Sequence, residues 1–525
     1  MEKISLPQSW HRLLFILGLM VLVVGLPFSS ALMSIGIIWL SVNFIWEGNF
    51  ESKWKKYLLQ PAAFLLTAVF ILHVLGLFWT ENVARGIHDL RIKLPLLALP
   101  IIFSASRSLN KNQLSIVLHF YLASCFLISA LSYSAFLGII DVVVNDSRDY
   151  SLFIDHIRFS LFLVIAILCS VYYLIVKKGK HALIYFFLIL FFTGVIAIMR
   201  AGTALTVLGL LCGIFVVGLF IVKNALPYAI AIRSAGLLII LAILGFVVFH
   251  AVDFYTIRQE SIDEVEHFSK SGNPYVFDQV SHKLENGYWV NWYVQEQEME
   301  ATWNEVSNFH YTGEDKNGSV LKATLKRYLT SKGLRKDREG VLALSQTDIA
   351  AIESGIANMR FLPPHTLGDR AYQIMWEIHG LRAGDNPQGN SVGQRFLFWK
   401  MGLRIFKSNF VFGVGTGDVK DTFDAAYNSI DFYIQEQFRH RAHNQYITIG
   451  IALGIIGVIL FVSSLAAPFV FEKVSANWFF LAVFVVLIFS MINEDTLETQ
   501  AGATLFAFWW SFVLWAFPKS KEESK

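Results

Sequence analysis

One feature constrains this chain more than any other: apolar runs of about 20 residues, nearly free of charge, follow one another from residue 13 to 250 and again from residue 446 to 517. A run of that length suits an α-helix crossing the hydrocarbon of a bilayer. In lipid every backbone N–H and C=O must be paired internally, and a helix does so within a single segment. Candidate spans fall at 13–28, 31–46, 61–79, 94–105, 113–138, 158–176, 182–199, 201–222, 228–250, 446–470, 477–492 and 501–517. The reading is therefore an all-α integral membrane protein with about 12 transmembrane helices. The 94–105 run is short and contains Pro95 and Pro100, so it reads as a broken or re-entrant segment. With 55% hydrophobic and 16% charged residues, the chain is far more apolar than a soluble domain. A net charge of +3 leaves no basic field for a nucleic-acid partner. Cys125, Cys169 and Cys212 all lie inside apolar runs and read as packing residues. The first run leads into the second without a small-residue cleavage site, which predicts a retained anchor.

Lys and Arg in short loops favour the cytoplasmic side. With both termini cytoplasmic, that side collects Lys53, Lys55, Lys56, Arg107, Lys111, Lys177, Lys178, Lys180, Lys223, Arg233, Lys473 and the tail lysines. The opposite side receives the acidic 139–157 loop and the stretch Asn493-Glu494-Asp495-Thr496-Leu497-Glu498. Arg85, Arg91, Lys93, Arg158 and Arg200 also fall near membrane ends on that outer side, where the orientation rule does not call for cations.

Three regions follow: an N-terminal bundle over 1–250, an outer domain over 251–445 and a C-terminal membrane segment with a cytoplasmic tail over 446–525. The outer insert holds 25 of the 40 acidic residues and is too long for a structureless loop. Leu321, Leu325, Tyr328 and Leu329 repeat at helical spacing, and Ser345-Gln346-Thr347-Asp348 resembles a capping box opening a helix toward Met359, so the insert reads as largely helical. The aromatic run from Tyr288 to Tyr293 offers a sugar-stacking surface, but packed core is the better reading.

Unusual features concentrate at the end of the insert. Phe396, Trp399, Leu403 and Phe406 share a helical stripe, which fits a helix along the membrane surface near 395–407, with Arg395 and Lys407 at headgroup height. Gly413, Gly415 and Gly417 permit a tight turn but lack the strand and helix of a nucleotide-binding loop. His443-Asn444, nine further residues, Gly454 and then Gly457 complete the pattern.

This pattern resembles the signature of the O-antigen ligase and polymerase superfamily, bacterial membrane enzymes that handle polyprenyl-diphosphate-linked glycans. The Arg395/Trp399 helix, the glycine turn, Arg200, and the positions of the insert and the Glu494/Glu498 loop fit as well. The resemblance implies a C-type glycosyltransferase-like membrane fold in the bacterial inner membrane, with the active site facing the periplasm. It further implies an inverting, metal-independent reaction without a cofactor, moving a glycan from undecaprenyl diphosphate to an acceptor hydroxyl. The lipid A core is the preferred acceptor, as in an O-antigen ligase. An O-antigen polymerase or a protein O-oligosaccharyltransferase carries the same signature.

The residue chemistry agrees with that implication. A diphosphate leaves readily if its growing charge is neutralised, and the arginine fork matches phosphate oxygens. Arg395 and Arg200 are the leading clamps, with Arg158 and Arg91 secondary. His443 suits the proton transfer from the acceptor hydroxyl. Asn444 orients either the imidazole or a sugar hydroxyl. Asp89, Glu498 and His156 are available as partners for those arginines, although charges at helix ends are usually solvated, and none is read as catalytic; Arg439 and Arg441 could serve the diphosphate, but a basic run beside a membrane more often contacts lipid phosphate. No carboxylate or histidine cluster on the outer side has metal-ligand spacing. A polytopic transporter is the non-enzyme alternative. It predicts ionisable groups at mid-membrane depth and related halves, whereas here the charges gather on one face.

Overall fold

The computed structural model describes residues 7–142, 147–176, 180–221, 238, 241, 245–246, 248–254, 266–278, 283–362, 367–384, 390–430, 434–472 and 478–517. The 228–250 run and the basic positions 177, 178, 223, 233, 473, 519, 521 and 525 lie largely or wholly outside them. The described chain is mostly helical and forms two compact units, one of residues 1–225 with 398–525 and the other of 226–397. The division places residues 398–445 with the membrane helices.

Among the described residues of the first unit, six helices are long and apolar enough to cross a membrane: Gln8–Phe28, Pro61–Trp79, Lys111–Phe136, His156–Val176, His181–Ile198 and Gln445–Phe471. A seventh crossing is available if Ser30–Trp46 and Phe50–Leu58, bent by 118°, count as one span. Other apolar runs fold as shorter helices, among them Trp478–Asn493 and Gln500–Ser511. The 94–105 run is not itself broken: it folds as one short helix, Pro95–Ala105, which takes up Pro95 at its first position and keeps Pro100 inside, while the preceding helix ends at Lys93.

Two apolar helices lie in the interior. Gln500–Ser511 is buried at every position from Ala501 to Ser511, and His156–Val176 is buried over most of its length. Phe103 meets Phe508 and Phe512 edge-on at 5.9 and 6.1 Å, and Tyr121 meets Trp509 at 5.0 Å. Outward-facing Ile38, Leu127, Phe187 and Ile459 are each more than half exposed, the surface expected of helices solvated by lipid.

In the second unit, Glu296–Val306, Leu321–Ser331, Gln346–Glu353 and Leu367–Ala383 are helices. The capping box at Ser345 is present, with the Ser345 side chain accepting from the Asp348 N–H and the Asp348 carboxylate accepting from the Ser345 N–H. The helix stops at Glu353, short of Met359, because Ser354 is followed by Gly355 at φ +79°. Leu284–Glu285 and Tyr288–Trp289 pair as an antiparallel hairpin across Asn286-Gly287, both at positive φ. Trp292 and Tyr293 are buried with Tyr275 in a small core, and Phe277 and Trp289 pack on it.

Candidate active site

The Gln445–Phe471 helix is capped by Asn444, whose side-chain oxygen accepts the Ile447 N–H at 3.1 Å. His443, the residue before it, has φ +46°, a left-handed conformation that costs a non-glycine residue free energy and persists only where its surroundings hold it. One carboxylate does the holding. Asp495 Oδ2 accepts the His443 N–H at 3.1 Å, while Oδ1 accepts the Asn444 N–H at 2.9 Å and the Thr448 hydroxyl at 2.7 Å. An anion at a helix N-terminus is also favoured by the helix dipole. Burial pushes the Asp495 carboxyl upward, a shift that the Thr448 hydrogen bond opposes and nearby Glu498 reinforces.

The neighbouring carboxylate reaches the imidazole itself. Glu494 is buried, and its Oε2 lies 3.4 Å from His443 Nδ1 and 3.3 Å from the Arg158 guanidinium. Arg158 also donates to the Asp495 carbonyl and to the Asp155 carboxylate, both at 3.4 Å. A carboxylate on Nδ1 selects the tautomer with its proton there and leaves Nε2 with a free lone pair. The rings of His440 and Phe398 stand 5.3 and 5.9 Å from the His443 ring.

Glu498 is buried rather than solvated. Its Oε2 pairs with Lys93 Nζ at 2.8 Å and Arg441 at 3.1 Å, and its Oε1 accepts from Gln445 at 3.2 Å. Gln445 in turn accepts the Leu497 N–H at 2.7 Å. Burial pushes the Glu498 carboxyl up, but Lys93 and Arg441 outweigh it and hold the group below its usual range. Burial raises Asp89, against the pull of Lys93. The expectation that Asp89 and Glu498 are solvated helix-end charges is thereby corrected: the fold brings the 494–498 loop under the helix that ends at Lys93. Arg441 likewise faces a buried carboxylate.

At the other end of the same helical segment lies Gly454, with φ +66° and ψ −163°, a break inside the Gln445–Phe471 helix. A helix broken at membrane depth frees carbonyls that something must satisfy. The glycine turn does so: Val414 N–H donates to the Ile451 carbonyl at 2.8 Å and Gly415 N–H to the Ala452 carbonyl at 3.0 Å. Ile455 N–H donates to the Phe410 carbonyl at 2.7 Å. A Cβ on Gly454 would stand 2.1 Å from the Val411 carbonyl oxygen, so only glycine fits. The same turn reaches the helix beginning at Val83, where the Asp418 carboxylate accepts the Glu81 and Asn82 N–H groups, each at 2.8 Å.

Of the residues selected from sequence, His443, Asn444 and Arg158 come together around the 494–495 carboxylates. Both ends of the Asn444 amide are engaged by backbone, since its nitrogen donates to the Ile492 carbonyl at 3.0 Å. Arg200 is exposed at φ +48°, in the bend between the Lys180–Ile198 and Gly202–Ile221 helices. Arg91 is exposed in the last turn of Val83–Lys93, without an ion pair among the described residues. Arg395 is half-buried on the Ser391–Ser408 helix and belongs to the second compact unit. Among the described residues, no group of histidine, cysteine, aspartate or glutamate side chains could hold a metal ion. Sequence spacing does not single out Glu494 or Asp495, though the acid-rich run holding them is visible.

Residues 349–462 match the family model described as O-antigen ligase. The match spans the Arg395 helix, the glycine turn, His443-Asn444 and Gly454, so the resemblance to the O-antigen ligase and polymerase superfamily is shown over that segment. No curated protein matches the chain.

Proposed function

We propose that the chain is an O-antigen ligase of the bacterial inner membrane, transferring a glycan from undecaprenyl diphosphate to a hydroxyl of the lipid A core on the periplasmic side, with both termini cytoplasmic. The observation that carries the reading is the His443 imidazole with Nδ1 on buried Glu494, itself paired with Arg158. In the proposed step the acceptor oxygen attacks the anomeric carbon of the donor sugar and its proton passes to His443 Nε2. The bond between the anomeric carbon and the phosphate oxygen breaks as the new glycosidic bond forms, with inversion, and undecaprenyl diphosphate leaves. Glu494 fixes the tautomer and stabilises the imidazolium that forms.

Arg395, Arg200 and Arg91 are the proposed clamps for the departing diphosphate, whose charge grows during the step. Arg158 instead serves through Glu494, and Asn444 through the helix cap that sets His443 in place. The arginines together with the family's carrier-linked donor support a reaction in which side chains supply the electrostatic stabilisation. No resident metal or cofactor is invoked.

The test is the lipopolysaccharide gel profile of a deletion strain, read beside carrier-linked polymer, with complementation by wild type, Arg395→Ala or His443→Ala. Loss of the long ladder with polymer accumulating on the carrier supports the ligase, and neither variant should restore the ladder. Cores capped by a single repeat unit would identify a polymerase instead. An unchanged profile removes both roles.

A further inference from the structure

The second half of the Ser391–Ser408 helix has two faces of opposite character. Phe398, Met401 and Ile405 are buried, and Gly402 lets this face approach the start of the Gln445–Phe471 span so closely that a Cβ there would stand 2.7 Å from Ile447. Lys400, Arg404 and Lys407 point the other way, exposed, around Leu403 and Ser408 in one shallow cleft. Positions i, i+4 and i+7 lie on one helical face and span about 10 Å along the axis. Among the described residues no carboxylate pairs with any of the three.

Two observations set the height of this cleft. Its helix lies against the first two turns of a membrane span, and the chain just beyond it exposes Phe410, Val411 and Phe412, with the Phe412 ring 6.2 Å from Trp79 at the end of the Pro61–Trp79 span. An aromatic belt of this kind marks the headgroup level of a bilayer. A cluster of cations bordered by exposed apolar side chains is the pattern of an interfacial helix that holds lipid phosphate.

We propose that Lys400, Arg404 and Lys407 form a binding site for an anionic phospholipid of the bilayer, its phosphate seated among the three cations and its acyl chains against Leu403 and Phe410 to Phe412. The apolar border favours a lipid over a free anion, which has no use for it. The site is independent of the proposed transfer reaction, so either can fail without the other.

The test is native mass spectrometry of the detergent-solubilised full chain with phosphatidylglycerol or phosphatidylcholine added. Wild type should retain phosphatidylglycerol in preference to phosphatidylcholine. Each lost cation should weaken retention roughly fivefold, and the triple variant Lys400→Gln/Arg404→Gln/Lys407→Gln on the order of a hundredfold. The control Lys55→Gln/Lys56→Gln, which removes exposed charge elsewhere, should bind as wild type. Because all three side chains are exposed, the triple variant should keep the wild-type melting temperature, and the single variants carry the test if it does not. Equal retention by wild type and the triple variant overturns the proposal. So does displacement of the lipid by millimolar inorganic phosphate, which would make the cleft a soluble-anion site.

Discussion

Replacing Gly454 by alanine tests whether the signature glycine is there for geometry. Two costs add at that position, and two other glycines isolate them. Gly138 has φ +71° with nothing within 4 Å of where a Cβ would stand, so Gly138→Ala introduces backbone strain alone, about 1–2 kcal/mol. Gly457 has ordinary helical geometry, but its Cβ would stand 2.5 Å from Leu453 Cβ, so Gly457→Ala introduces crowding alone, about 1–3 kcal/mol. Gly454 combines φ +66° and ψ −163°, a region nearly closed to side chains, with a Cβ 2.1 Å from the Val411 carbonyl oxygen. Backbone cannot swing aside as a flexible side chain can, so the two costs sum in full, to about 2–5 kcal/mol. At about 1 °C per kcal/mol for a chain of this length, the melting temperature should fall by about 2–5 °C, against about 1–2 °C for Gly138→Ala and about 1–3 °C for Gly457→Ala. A thiol-reactive dye in a Cys212→Ser background reports unfolding, because Cys125 and Cys169 are buried while Cys212 is exposed. A Gly454→Ala protein that melts no lower than Gly138→Ala would refute the close approach of the 410–415 turn to the helix break.

Three further outcomes are expected. Glu498→Gln strands both Lys93 and Arg441, whereas Lys93→Met leaves Glu498 with Arg441; the first should therefore cost more than the second, within the roughly 3–5 kcal/mol of a broken buried pair, as read by the same dye assay. Since the folded protein holds Glu498 below its usual 4.5, that carboxylate contributes stability fully present above pH 4.5 and lost as pH falls through the lowered folded value; Glu498→Gln should flatten the acid limb of a melting-temperature profile. Glu494→Gln keeps the shape beside Nδ1 but loses the charge, and should lower glycan transfer at least about tenfold with membrane expression unchanged; equal transfer would detach Glu494 from the role proposed for it.

The legible part of this fold is the part encoded by local periodicity. Apolar runs became helices, Pro95 set the start of a new helix, and the Ser345 capping box opened another, because each depends on residues a few positions apart. The Asn286-Gly287 turn is equally local, a hairpin signal that reading the insert by helical spacing leaves unused. The burial of Glu498 is of another kind. Its partner Lys93 lies 405 positions away, and no spacing rule connects an acid in one loop to a lysine ending a helix in the other half of the chain. An isolated charge at a helix end is usually solvated, and only the tertiary fold makes this one an exception. The role of Glu494 escapes a local reading for the same reason: its partners Arg158 and His443 lie 336 and 51 positions before it.

The nine residues between Asn444 and Gly454 then take on a mechanical meaning. They form a helical segment fixed at both ends by groups from outside it, Asp495 at the capped end and the Val414 and Gly415 amides at the broken end. Each residue in a helix advances about 1.5 Å and turns about 100°, so adding or removing one would rotate His443 by about a quarter turn relative to the break. Neither end can absorb that rotation: the Asp495 carboxylate grips two successive amides, and the glycine turn meets two successive carbonyls. The spacing therefore fixes the direction of the His443 ring as surely as its hydrogen bond to Glu494 does. A histidine left at a helix start without this segment would keep its cap and lose its aim.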